Sequence, residues 1–197
     1  MNYLAHLTLA QPFAPSKVGN VLGDFMRGVE VAGLSEPVRL GLDNHRLVDR
    51  FTDSHDWVRA QRAKFSPARR RFAGVALDVL FDHFLWHHWS SFYASPRGDT
   101  IALHYRHLQA GDALMPPVMR QRMQRMAEFD LLNRYVELRQ VGQALDMIAG
   151  RIRFANRFTG IVEEIVPFYE ELEEGFLVFY PQLQHAVAQA ALEAQSG

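Results

Sequence analysis

Cysteine is absent from the 197 residues, which excludes disulfide staples, thiol nucleophiles, iron–sulfur clusters and thiolate zinc sites together. That lack fits a reducing cytoplasm. Also missing is any charge-free run of about 18 apolar residues, so no membrane-spanning helix is expected. Met1–Ala10 carries His6, lacks a basic leader and is followed by no small-residue cleavage site, and so does not read as a signal peptide. Neither sign of charge is in excess. With 21 basic and 22 acidic residues, the basic surplus that a general nucleic-acid binder needs is not there, and partner choice must come from local patches. No solenoid repeat or low-complexity linker divides the chain. It reads as one domain over residues 1–197, and its 48% hydrophobic content can build a core without a metal or disulfide staple.

What is present recurs at helical spacing almost throughout, while alternating apolar runs bounded by turn residues are missing. The expected fold class is all-α, a single-domain helical bundle. One helix is predicted from about Ser16, with Val18, Val21, Leu22, Phe25 and Met26 as its stripe, Asp24 at the stripe's edge and Gly28 as the stop. Ser35 and Pro37 open the next, which carries Val38, Leu42, His45 and Asp49 along one face. A short helix is expected from Asp53-Ser54 to Phe65, and Ser66-Pro67 starts the longest one, reaching about Trp89. On it Val75, Asp78, Asp82 and Leu85 share a face, with His83 one residue round. Further on, turns are expected at Ser95–Asp99 and Met115–Pro117, a helix over Phe129–Ile152 with a break near Gly142, and Pro167 and Pro181 as bounds of the last helices.

Carboxylates and imidazoles thus interrupt apolar stripes: His6, Asp24, His45, Asp49, Asp53, Asp78, Asp82 and His83. A buried carboxylate without a partner would neutralise, whereas one divalent cation offsets the desolvation of several ligands together. Imidazole and carboxylate without thiolate suit Mn, Fe, Zn or a more hydrated Mg. A cation in such a set acidifies water and polarises a phosphoryl oxygen, so phosphate-ester hydrolysis is the natural reaction class. Taken singly, a core His or an Asp beside an Arg is more often structural; several on neighbouring helices favour a metal site. The dipeptide His55-Asp56 lies at a predicted helix start, where both are ordinary cap-region residues. His83 and His87 have helical pair spacing but lack the Glu of the metalloprotease motif.

Four ordered blocks are similar to the acyl carrier protein phosphodiesterases, also called acyl carrier protein hydrolyases, which are grouped with HD-domain-like metal hydrolases. Met1-Asn2-Tyr3-Leu4-Ala5-His6-Leu7 resembles that family's opening, and Gly19–Gly28 its Gly-x-x-x-x-Asp-Phe-x-(Lys/Arg)-Gly segment. His45-Arg46-Leu47-Val48-Asp49-Arg50-Phe51-Thr52-Asp53 resembles its His-Arg-x-x-Asp-x-x-Thr-Asp segment. Arg69-Arg70-Arg71 followed by Leu77–Leu85 and His88-Trp89 gives the fourth block, and Phe179-Tyr180-Pro181 a weaker late match. The likeness is strongest over residues 1–90, and the HD order is reversed in Asp82-His83. It implies an HD-like helical phosphohydrolase fold and manganese-dependent hydrolysis of the 4'-phosphopantetheine–serine phosphodiester of holo acyl carrier protein. By this resemblance Asp24 matches the critical metal-binding aspartate. His45, Asp49, Asp82 and His83 are the next positions assigned to the metal, with His6, Asp53 and Asp78 as ligands or as orienters of the imidazoles. Arg27 or Arg46 is expected to stabilise added charge, and His6 or His83 to protonate the leaving serine.

Between Arg59 and Arg71 stand Arg59, Arg62, Lys64, Arg69, Arg70 and Arg71 with no acidic residue, a patch expected to steer an acidic carrier protein. The acidic stretch Glu163–Glu174 reads as an exposed face. Rival readings are a related phosphohydrolase acting on a nucleotide or other small phosphodiester, a helical binding protein with structural Asp/His/Arg networks, and, least favoured, a haem-binding bundle.

Overall fold

The computed structural model describes residues 1–154 and 156–194; the expected domain also takes in Ala155 and 195–197, which lie outside the described residues. Among the described residues there are ten α-helices, short 3₁₀ turns and no strand. The helices are α1 (Tyr3–Leu9), α2 (Ala14–Leu22), α3 (Glu36–Ser54), α4 (Asp56–Lys64), α5 (Ala73–His87), α6 (Trp89–Phe92), α7 (Arg97–Ala110), α8 (Pro117–Glu128), α9 (Leu138–Ala149) and α10 (Tyr169–Ala190). The all-α expectation holds, and none of these helices is long and apolar enough to cross a membrane.

The centre is α5, whose Ala76, Leu77, Leu80, Phe81, Phe84 and Leu85 are buried. Each large side chain of this kind contributes roughly 1.5–3 kcal/mol by leaving water. Against it lie α1, α9 and α10; Phe176, Phe179 and Tyr180 of α10 meet Phe81, Phe84 and Phe92 in one aromatic cluster. The pair α2–α3 packs closest of all. A Cβ on Gly19 would stand 2.8 Å from Gly41 Cα and 2.9 Å from Leu42 N, and nearer still to the Val38 carbonyl. Only hydrogen at position 19 lets the two backbones touch.

Several boundaries differ from expectation. The first long stripe stops as an α-helix at Leu22, then tightens into a 3₁₀ turn, Gly23–Phe25, that carries Asp24. Gly28 does end the segment, in a left-handed conformation (φ 77°). Ser66-Pro67 opens no helix: the Ser66 amide and hydroxyl are both held by Glu164, at 2.8 and 2.7 Å, and α5 starts only at Ala73. The longest helix is therefore α10, and Pro181 lies inside it rather than at its edge. Leu138–Ala149 runs through Gly142 unbroken; the interruption falls earlier, between the 3₁₀ turn Leu131–Asn133 and Glu137, which caps α9 reciprocally with Gln140.

Candidate metal centre

Three of the expected polar residues come together where α1 crosses α3. His45 and Asp49 are one turn apart on α3, which aims both the same way, and His6 of α1 stacks on His45 with ring centroids 4.1 Å apart. Asp49 stands between the two rings, Oδ1 3.2 Å from His6 Nε2 and Oδ2 3.0 Å from His45 Nε2. One donor atom from each of the three lies within 4.8 Å of the others. His45 Nδ1–H donates to the Asn20 carbonyl at 2.8 Å, which fixes the ring and points Nε2 into the cluster. Gly23 makes room for that ring: a Cβ there would fall 2.6 Å from His45 Cε1 and closer to two other ring atoms.

The electrostatics single out His6. It is 1% exposed, and both ring nitrogens are buried without a hydrogen bond, since its approach to Asp49 is close but poorly aligned. Burial above all, with help from His45 and the Met1 ammonium, lowers its pKa to about 4. Burial also pulls on His45, yet the Asp49 and Asp24 carboxylates and the Asn20 carbonyl outweigh it and raise that ring. Desolvation opposes ionisation of Asp49, but the adjoining His45 and His6 rings and the nearby ammonium hold its carboxyl well below the usual range. Two imidazole nitrogens and a firmly ionised carboxylate converging at a half-buried point, one imidazole unsatisfied, form a donor set that a divalent cation would complete.

Asp24 sits at the mouth, on the turn that follows α2. Crowding by protein raises its carboxyl first; His45 draws it down, and Asp49 and Asp78 push it up again. Its response to His45 and Asp49 places it within their field, as the accessible acid of the group. The Met1 ammonium, a member that the residue pattern does not advertise, donates to Asp78 Oδ1 at 2.8 Å and lies 3.5 Å from Asp49 Oδ1. Asp78 thus borders the cluster through the amine.

Other expected members are elsewhere. Asp82 is fully buried, and its two oxygens accept the Leu4 and Ala5 amides at 2.8 and 3.0 Å. It caps the start of α1 and so positions His6, and it is not one of the three gathered donors. Burial, only partly offset by those amides, raises it to about 7. His83 is committed too: Nδ1–H donates to the Tyr135 carbonyl at 2.6 Å, and Nε2 accepts from the Tyr169 hydroxyl at 2.7 Å. These two bonds tie it to the 135–169 region, apart from the three gathered donors. Asp53 leaves the site for Arg62 at 2.9 Å. Arg46 pairs with Asp43 at 3.2 Å along α3, while Arg27 is exposed and makes no ion pair among the described residues. His55 caps the start of α4 and meets Gln182 at 3.1 Å, with Asp56 fully exposed, so the literal His-Asp dipeptide is no ligand pair.

The basic run is largely paired within the fold. Arg59 pairs with Asp56, Lys64 with Glu171, and Arg69 with Glu164 and two carbonyls, those of Arg157 and Thr159. Arg70 donates to the Phe65 carbonyl, and Arg71 lies over the rings of Phe72 and Phe154. The acidic stretch Glu163–Glu174 supplies Glu164 and Glu171, so the two runs partly neutralise one another. Their pairing spans about a hundred residues, which composition alone does not disclose.

An all-helical fold enclosing a His–His–Asp donor set defines a class, helical proteins with a metal-competent internal site. Within that class, the family model described as acyl carrier protein phosphodiesterase matches residues 1–183, and the chain belongs to that family. A Serratia proteamaculans protein named acyl carrier protein phosphodiesterase is 37% identical over 189 residues, 93% of this chain and 95% of its own length. Relatives of the same name from Yersinia pestis and Salmonella agona are 34% and 33% identical, covering 94% and 98% of this chain and 98% and 100% of their own. No solved structure matches.

Proposed function

We propose that this protein removes 4'-phosphopantetheine from holo acyl carrier protein by metal-dependent hydrolysis of its phosphodiester to serine, with manganese as the cation. The observation that supports it most is the unsatisfied His6 ring beside Asp49 and His45 in a member of this family. The relatives' names favour the carrier-protein substrate over a nucleotide. We group it with HD-like hydrolases on the strength of the helical His/Asp set, and its cysteine-free composition supports a cytoplasmic setting.

His6, His45 and Asp49 would hold the cation, with Asp24 completing the set from the mouth. When bound, it supplies Lewis acidity toward a phosphoryl oxygen and acidifies water at neutral pH. Around it, Asn20 fixes the His45 tautomer, Asp82 fixes the start of α1, and the Met1 ammonium, held by Asp78, offsets part of the charge of Asp49. Asp24 orients the attacking water, and Arg27 receives negative charge on the phosphate. Water oxygen bonds to phosphorus, the bond to the serine oxygen breaks, and a proton from the water ends on that oxygen. His6 is too enclosed to deliver it, so the transfer runs on the Asp24 side.

Intact mass of holo acyl carrier protein after incubation with manganese tests this, beside EDTA, Asp24→Ala and His45→Gln samples. Loss of the phosphopantetheine mass confined to the metal-containing wild type is expected. No loss with metal bound sinks the substrate assignment; no loss and no metal returns the cluster to a structural network.

A further inference from the structure

A cleft of about 330 Å³ opens at the turn that carries Asp24, lined by Phe25, Val118, Gln121, Arg122, Arg125 and Arg151. Phe25 directly follows Asp24, and Tyr3 links the two places from α1. Burial lifts the Tyr3 hydroxyl to about 12; Asp24 adds to the rise, while Arg122 and Arg151 oppose it. Tyr3 therefore stands in the fields of both the site's accessible acid and the cleft's cations.

The cleft is basic without compensation. Arg120, on the same helix, pairs with Asp112 at 3.1 Å, and Arg139 with Glu137 at 3.5 Å. Arg122, Arg125 and Arg151 make no ion pair among the described residues. Arg151 is disfavoured by desolvation and by the charge of Arg122 beside it. Like charges gathered around one opening are stabilised by an anion that enters it, and guanidinium forks match carboxylates in pairs.

The cleft is open, and its apolar rim includes Val118 at 72% exposure. A small ligand calls for a pocket that encloses most of its surface. Arginine and aromatic groups around an exposed apolar residue instead resemble the make-up of a protein interface.

We propose that this cleft docks the carboxylate-rich face of the protein substrate, through Arg122, Arg125 and Arg151, and so brings the modified serine to the adjoining metal centre. The proposal rests on the phosphodiesterase reading for its partner and moves the docking surface away from Arg59–Arg71.

The test compares wild type, Arg122→Glu/Arg125→Glu and Arg59→Glu/Arg62→Glu in manganese, on holo acyl carrier protein and on bis(p-nitrophenyl) phosphate. In the cleft variant KM for the carrier protein rises by about tenfold or more with kcat little changed, and the salt dependence of KM seen in wild type flattens. Hydrolysis of the small diester stays at the wild-type level, and the Arg59/Arg62 variant keeps its carrier-protein KM. An unchanged KM in the cleft variant overturns the proposal. Arg125→Glu alone, at an exposed position, replaces the double variant if that one fails to fold. Should wild type leave the carrier protein intact, the activity reading fails on its own, and anisotropy of labelled apo carrier protein decides the docking question. Binding by wild type that the cleft variant loses upholds the docking site; equal or absent binding refutes it.

Discussion

Gly23→Ala tests the geometry of the candidate metal centre without replacing a candidate ligand. The backbone at Gly23 is ordinary right-handed helix (φ −52°, ψ −32°), so alanine is conformationally welcome and gains up to about 1 kcal/mol over glycine. The obstacle is the ring of His45. Ordinary contact begins near 3.4 Å and the new methyl would meet Cε1 at 2.6 Å, so the imidazole must retreat by at least about 0.8 Å. Such a move strains the bond from Nδ1 to the Asn20 carbonyl and turns Nε2 away from Asp49. Overpacking costs about 1–3 kcal/mol, largely offset by the helix term, so the thermal midpoint should fall by only a few degrees. The site has no such compensation: a displacement near 1 Å costs on the order of 10²-fold in turnover, and loss of an orienting bond about 10–100-fold in metal affinity. Manganese titration by calorimetry, carrier-protein turnover and circular dichroism would be read together, with Gly33→Ala and Gly98→Ala as controls because nothing lies within 4 Å of either new methyl. A Gly23→Ala protein with wild-type affinity and turnover would falsify the placement of His45 in the site.

Burial lowers the His104 ring to about 3 from the 6.5 of the unfolded chain, so its contribution is whole above pH 6.5 and is lost as pH falls toward 3. At pH 5 linkage puts that loss at about 2 kcal/mol; urea unfolding at pH 7.5 and 5.0 should show a shallower pH slope in His104→Gln, and an unaltered slope contradicts it. Gly19→Ala sets a methyl against the α3 backbone, which has no side chain to swing aside. It should cost about 3 kcal/mol, and a midpoint within two degrees of wild type would disprove the close crossing of α2 and α3.

Local pattern carried some of this architecture and none of the rest. The spacing of His45 and Asp49 alone puts both on one face of α3, and the capping sense of Ser35-Pro37 locates its start to within a residue. Asp82 shows where that logic ends. Its place on the buried face of α5 is readable, but which partner takes the carboxylate depends on α1 arriving some 77 residues away in sequence with two free amides. His83 shows the same limit, since its partners Tyr135 and Tyr169 are likewise remote in sequence. The pairing of the basic run is hidden for a related reason: its partners Glu164 and Glu171 sit beyond the reach of any helical period. Pro181 was read as a boundary because proline removes a backbone donor, yet Tyr180, fully buried and bonded to Tyr93, holds the helix on course through it.

The contact between Gly19 and Gly41 also limits where this molecule can breathe. α2 ends at the turn bearing Asp24, and α3 carries His45 and Asp49, so one welded helix pair sets the spacing of three of the four acid and imidazole groups. Prying that pair apart would expose backbone that no side chain shields. Any widening needed to admit a protein-borne phosphodiester then falls outside this helix pair. Hydrogen exchange should accordingly be slow along the facing turns of α2 and α3, making the candidate metal centre an anvil rather than a jaw.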